Sequence, residues 1–210
     1  MDLAAVLPWL TVRTASPAPS EPGWISCAEV IRAQQAGEDP TGPWRALLET
    51  EYARQYRIDP PKQVAAMFVL MWYVGVPARI AAAASALTGQ APDVSPERVT
   101  FRLHPDQHYP AEVSLLPGPA LPIAQAFAVA DSHCRAFVDT YPAGVKLGSR
   151  QRYGAIADEY RAAIKACGHA PEVARIFGVD PDGPREACCF IYALPGTSVC
   201  SNCPRIAVNE

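Results

Sequence analysis

Residues 62–87, KQVAAMFVLMWYVGVPARIAAAASAL, are the most apolar part of the 210-residue chain. No charge occurs from Val64 to Ala78, and Gly75 and Pro77 interrupt the run. The pattern predicts two helices, over 62–73 and 78–87, split at the glycine and proline. The first is apolar enough to cross a protein core. The uncharged run is shorter than the roughly 20 residues a membrane-spanning helix needs, so no transmembrane segment is expected. Half of the residues are hydrophobic and 19% are charged, which suits one globular domain built around this core.

Outward from that core, the N-terminal side reads as an arm over residues 1–22, its end marked by the aperiodic ASPAPSEP of residues 15–22. The body spans 23–183. Ser26 followed by Glu29 is a capping-box signature and Gly37 a stop, which predicts a short helix between them. A second helix is expected over 44–57, with Trp44, Leu47, Leu48 and Tyr52 on one side, before Pro60 and Pro61 break the pattern. Beyond Gly89, residues 99–103 and 111–115 read as strands. Helical periodicity returns over 121–141 and, behind a capping Ser149, over 149–167; a short helix over 171–177 closes the body. The turn cluster VDPDGP, 179–184, precedes a distinct segment at 184–210. The expected class is a helix-rich α+β domain with a small strand region and a C-terminal cysteine segment.

The net charge of −3 and the lack of any Lys/Arg-rich stretch exclude an electrostatic footprint for nucleic acid. The N-terminus has an acid at Asp2 and no basic run before its apolar residues, which argues against a secretory signal and makes the cytosol the expected compartment. In a reducing cytosol seven cysteines are better read as ligands, nucleophiles or core residues than as a disulfide framework. Cys27, Cys134 and Cys167 each fall on an apolar helical stripe and are expected to be small core hydrophobes.

The other four, Cys188, Cys189, Cys200 and Cys203, crowd into REACCFIYALPGTSVCSNCPR, residues 185–205. Four cysteines within sixteen positions, among turn residues, read as ligands of one metal centre. A zinc site fits Cys200 and Cys203 but not the adjacent pair, because neighbours rarely chelate one tetrahedral ion. A [2Fe-2S] cluster relaxes that demand, since its thiolates are shared between two irons. Arg185 and Arg205 flank the set, where a guanidinium near the thiolates favours the reduced state. Phe190, Ile191, Tyr192, Leu194 and Val199 supply apolar cover.

This segment resembles the C-terminal iron–sulfur segment of the FhuF family of ferric siderophore reductases: the paired cysteines, the ten-residue gap and the closing C-x-x-C-P all match. Gly42-Pro43-Trp44, the stretch from Met67 to Val76 and that from Arg150 to Tyr153 resemble actinobacterial members of the family. The resemblance implies a [2Fe-2S] cluster on Cys188, Cys189, Cys200 and Cys203, and one-electron reduction of a cytosolic ferric siderophore with release of Fe(II). It also makes a hydroxamate the expected ligand class. No G-x-G-x-x-G fingerprint follows a strand, so an external donor such as a ferredoxin or its reductase is implied. The rival readings are a [2Fe-2S] electron-transfer or redox-sensing protein that serves a protein partner, and a structural zinc module. Arg150 and Arg152 are further candidates for contact with an anionic chelate or a donor. His104 and His108 lie in HPDQHYP, read as loop. Asp131, Ser132 and His133 are read as a helix's polar face, not a triad. Trp44, Trp72, Tyr73 and Tyr153 are expected to pack the core.

Overall fold

The computed structural model describes residues 3–16 and 21–206; residues 17–20, within the proline-rich stretch of the expected arm, lie outside the described residues. The fold is helix-rich α+β. Strand β1 (Thr11–Thr14) is followed by β2 (Trp24–Ser26), α1 (Cys27–Gln35) and α2 (Gly42–Tyr56). Next come α3 (Lys62–Thr88), β3 (Gln90–Ala91), β4 (Val99–Leu103), β5 (Pro110–Leu115) and β6 (Leu121–Pro122). Helices α4 (Ile123–Thr140), α5 (Ser149–Ala166) and α6 (Pro171–Phe177) complete the body.

The two helices expected over 62–87 are one. Pro77 sits inside α3 and is buried, as is Gly75. An internal proline costs roughly 3 kcal/mol, yet Val64, Met67, Val69, Leu70, Tyr73, Val76 and Ile80 are all fully buried. Each large apolar side chain buried contributes about 1.5–3 kcal/mol, so packing outweighs the break. The helix ends where Gly89 adopts φ +75° and its N–H donates to the Ser85 carbonyl. With 27 residues, α3 is long and apolar enough to cross a membrane by length and composition; here it is enclosed by the body, mostly buried. Helices α2, α4 and α5 pack around it.

The main sheet has the order β1-β5-β4-β2, with β1 parallel to β5 and the other pairs antiparallel. The expected strands at 99–103 and 111–115 are β4 and β5; β1 and β2 had no expectation. The N-terminal stretch is therefore more than a lead-in. Leu3, Leu7 and Leu10 are buried in the core, and β1 extends the sheet edge. Its burial pattern explains the omission: TVRT shows no apolar face, and its pairing comes from a strand about a hundred residues away.

The remaining helices agree closely with expectation. Ser26 Oγ accepts the Glu29 N–H at 3.4 Å at the start of α1. The cap of α5 is Gly148, not Ser149. His133 departs from expectation: it is buried, its Nδ1 lies 2.7 Å from the Val94 carbonyl, and its Nε2 lies 3.2 Å from the Tyr73 hydroxyl. Its neighbour Asp131 does face outward, paired with Arg135 at 2.6 Å. Trp44 and Tyr73 are buried as expected, whereas Trp72 is half-buried and Tyr153 is exposed, donating to Asp139 at 2.5 Å. Cys27 and Cys134 are fully buried, and Cys167 is half-buried at the end of α5.

Candidate metal centre

After α6 the chain crosses α5. The crossing is possible because α5 offers a notch: Gly154 and Asp158, four residues apart, share one face of the helix. A Cβ at Gly154 would lie 2.6 Å from Glu186 Cβ and 3.3 Å from the Ala187 nitrogen. One turn on, the buried Asp158 carboxylate accepts the backbone N–H groups of Glu186 and Ala187, each at 2.9 Å. Arg161 donates to it at 2.5 Å and Arg185 at 3.4 Å. One carboxylate thus holds two backbone donors and two guanidinium groups just before the cysteine pair.

Past the anchor, Cys188 and Cys189 are buried and Phe190 turns the chain with φ +60°. That conformation is uncommon for a residue with a Cβ. Burial raises the Cys188 thiol, the Phe190 backbone N–H opposes that rise, and the neighbouring Cys203 and Cys189 thiols push it further up. The short helical turn Ile191–Ala193 and Gly196, with φ +73°, reverse the chain. Thr197 closes the reversal by donating to the Ile191 and Leu194 carbonyls at 2.5 and 2.8 Å. The Cys203 N–H then donates to the Cys200 carbonyl at 3.0 Å, and the Arg185 N–H to the Asn202 carbonyl at 3.3 Å, which ties the two ends of the segment together.

This folding brings the four tail thiols into one neighbourhood. Cys203 and Cys189 both act electrostatically on Cys188 and on Cys200. All four are free thiols, three of them buried. Among the described residues no group of three or more His, Cys, Asp or Glu side chains is gathered closely enough to hold a metal ion. Burial raises the Cys200 thiol, and the adjacent Arg185 guanidinium pulls it down. Arg185 itself is held against the effect of burial by Asp158 first, then by Cys189 and Cys200. A free-thiol set with a neighbouring cation and a backbone donor fits a cluster whose thiolates are shared between two irons. Leu194 is buried and Phe190, Ile191 and Tyr192 are half-buried, but Val199 is 41% exposed.

The flanking candidates separate. Arg185 is integral: besides Asp158, it places Nη1 4.0 Å from Cys200 Sγ and Nη2 3.5 Å from Met71 Sδ. Arg205 is exposed and stacks on Tyr192 at 4.5 Å. Arg152 caps the end of α4, donating to the Val138 and Tyr141 carbonyls at 2.9 and 3.1 Å. Arg150 is exposed on the first turn of α5. His104 lies in the β4–β5 loop, where Nδ1 accepts the Asp106 and Gln107 N–H groups at 3.2 Å.

Sequence reasoning had no place for Asp158, Met71 or the ion pair between Arg79 and Glu159. For Asp158 there was one faint signal, a glycine and a carboxylate four apart on a helix. Residues 185–205 match the family model described as the FhuF 2Fe-2S C-terminal domain. The match makes a [2Fe-2S] cluster the cofactor of this segment, and over these residues the expected family likeness holds. No curated protein matches the chain.

Proposed function

We propose that this protein is a cytosolic ferric siderophore reductase whose cluster is held by Cys188, Cys189, Cys200 and Cys203. The observation that carries the reading is the FhuF-type [2Fe-2S] segment anchored on α5 with its thiols against Arg185. Bound there, the cluster supplies single electrons. The chain's own residues then have definite tasks. Arg185 offsets the negative charge that four thiolates accumulate and so favours the reduced state. The Phe190 N–H does the same at Cys188. Asp158 keeps both in place by fixing the backbone just before the pair.

The substrate is a chelate that holds Fe(III) through hard oxygen donors, with hydroxamates the favoured class. One electron converts Fe(III) to the larger, less charged Fe(II), for which those donors have far lower affinity, and release follows. The conversion requires no general base or nucleophile. The electrons come from an external donor of the ferredoxin or ferredoxin-reductase kind.

The test begins with anaerobically purified protein. Its absorption spectrum is recorded before and after dithionite, with iron, zinc and acid-labile sulfide assayed on the same sample. Bands that bleach, with iron and sulfide equimolar, are expected. Reduced protein is then mixed with ferric desferrioxamine E while an Fe(II) chelator traps the product. Reoxidation with stoichiometric Fe(II) is the expected result; reoxidation by a protein partner alone defeats the reductase reading, and colourless zinc-loaded protein defeats the redox reading altogether. Serine at any of the four tail cysteines is expected to abolish or alter the spectrum, whereas serine at Cys27, Cys134 or Cys167 leaves it intact and costs about 1–3 kcal/mol of stability.

A further inference from the structure

A cavity of about 360 Å3 opens against α3 and α5, and none of its lining residues belongs to the cysteine segment. Its walls are aromatic: Trp72 on α3, Tyr109 at the end of the β4–β5 loop, and Trp9 from the N-terminal stretch. Tyr109 stands edge-on to Trp9 and to Trp72, with ring centroids 6.2 and 6.3 Å apart. The two charged residues in the lining, Arg79 and Glu159, are bonded to each other, and Arg79 also lies 5.2 Å over the Trp9 ring. The cavity therefore presents aromatic faces and a cation that is already neutralised.

Two chains of contacts join this wall to the tail thiols. Met71 lines the cavity and touches Arg185, whose other nitrogen reaches Cys200. On the opposite side Trp72 lies 5.1 Å from Phe68, Phe68 lies 6.0 Å from Tyr52, and Tyr52 is within electrostatic reach of Cys189. A molecule seated on Trp72 is thus a few side chains from two of the four cysteines.

Resting on the reductase reading, we propose that this cavity is the chelate-binding site, and that it selects an Fe(III) chelate of zero net charge. Three hydroxamate groups, each carrying one negative charge, cancel the charge of Fe(III). Three doubly charged catecholates leave a trianion. A trianion needs unpaired cations when it leaves water, and Arg79 is committed to Glu159. The neutral chelate loses less on desolvation and gains from contact with the rings. The exposed Gln107 marks the mouth, where the hydrated remainder of a large chelate stays in solvent.

The test uses cluster-loaded protein and gallium(III) complexes, which match the ferric complexes in charge and shape but accept no electron under these conditions. Calorimetric titration compares neutral gallium desferrioxamine E with trianionic gallium enterobactin. The neutral complex is expected to bind at least about tenfold more tightly. Gln107→Trp fills the mouth from an exposed position, and Tyr109→Ala removes one wall. Each is expected to weaken binding of the neutral complex by about tenfold or more, with iron, sulfide and visible spectrum unchanged. Wild-type affinity in both variants, equal affinity for the trianion, or no binding of the neutral complex overturns the proposal. The two readings fail separately. Binding sensitive to Gln107→Trp without electron transfer to the ferric complex upholds the site and sinks the reductase; transfer unaffected by either variant does the reverse.

Discussion

The Asp158 carboxylate accepts the Ala187 backbone N–H at 2.9 Å, so the residue immediately before Cys188 is fastened to the middle of helix α5. Asp158 also faces Arg161 and Arg185, and its side chain is 3% exposed. The position of the cysteine pair relative to the body therefore depends on one buried acid.

Asp158→Ala is expected to destabilise the protein by about 2–4 kcal/mol, because it leaves two backbone donors unpaired and removes the carboxylate that two guanidinium groups share. Urea unfolding checks the magnitude. Limited proteolysis checks the location, with new cleavage expected near 179–184. A variant within about 1 kcal/mol of wild type that keeps its full iron content rules out the anchor.

Gly154→Ala discriminates by sign. Were Gly154 only a helix residue, alanine would stabilise α5 by roughly 1 kcal/mol. The added methyl instead meets Glu186, and the segment has little room to retreat because the next two backbone groups are bonded to Asp158. A loss of about 1–3 kcal/mol is expected, typical of overpacking. A gain in melting temperature would show that the segment does not sit in this notch.

Arg185→Gln removes the cation beside Cys200 and Cys189. The midpoint potential is expected to fall by on the order of 60 mV, the one-electron equivalent of a tenfold change, because the reduced, more negative state loses its counter-charge. Arg185→Lys is expected to recover part of it. Arg205→Gln, at an exposed residue stacked on Tyr192, is expected to change the potential less. An anaerobic redox titration reads all three, and equal shifts at both arginines contradict the assignment.

His133 makes stability depend on pH. Burial pushes its pKa down to about 4, against a partial rise from its bond to the Val94 carbonyl. The unfolded chain, with histidine near about 6.5, binds the proton more readily than the fold does. The neutral ring's contribution is therefore complete above pH 6.5 and is lost as pH falls toward 4. Between pH 7 and pH 5 this amounts to about 2 kcal/mol. His133→Gln is expected to be less stable at neutral pH yet to show a correspondingly smaller drop over the same interval. An unchanged drop removes His133 as the cause.

Much of the fold could be read from local pattern. The cap at Ser26 and the apolar stripes of α4 and α5 depend on residues within a turn or two of each other. Pro77 misled because its penalty is local while the burial that overrides it is supplied by α2, α4 and α5. His133 misled for the same reason: Val94 and Tyr73, which satisfy its two nitrogens, are distant in the chain. The edge strand at Thr11–Thr14 carries no apolar face and exists through its pairing with β5.

The cysteine spacing and the proline after the last cysteine pointed to a metal centre because they belong to one short segment, and the family match over residues 185–205 makes it a [2Fe-2S] centre. What the tertiary structure decided is where that centre sits and what it faces. A carboxylate and a glycine four apart on a helix are a faint signal at most, and a methionine within a helix says nothing of what it will face. Only the packing of α3 against α5 brings Met71, Gly154 and Asp158 to the segment, and Met71 also lines the aromatic cavity.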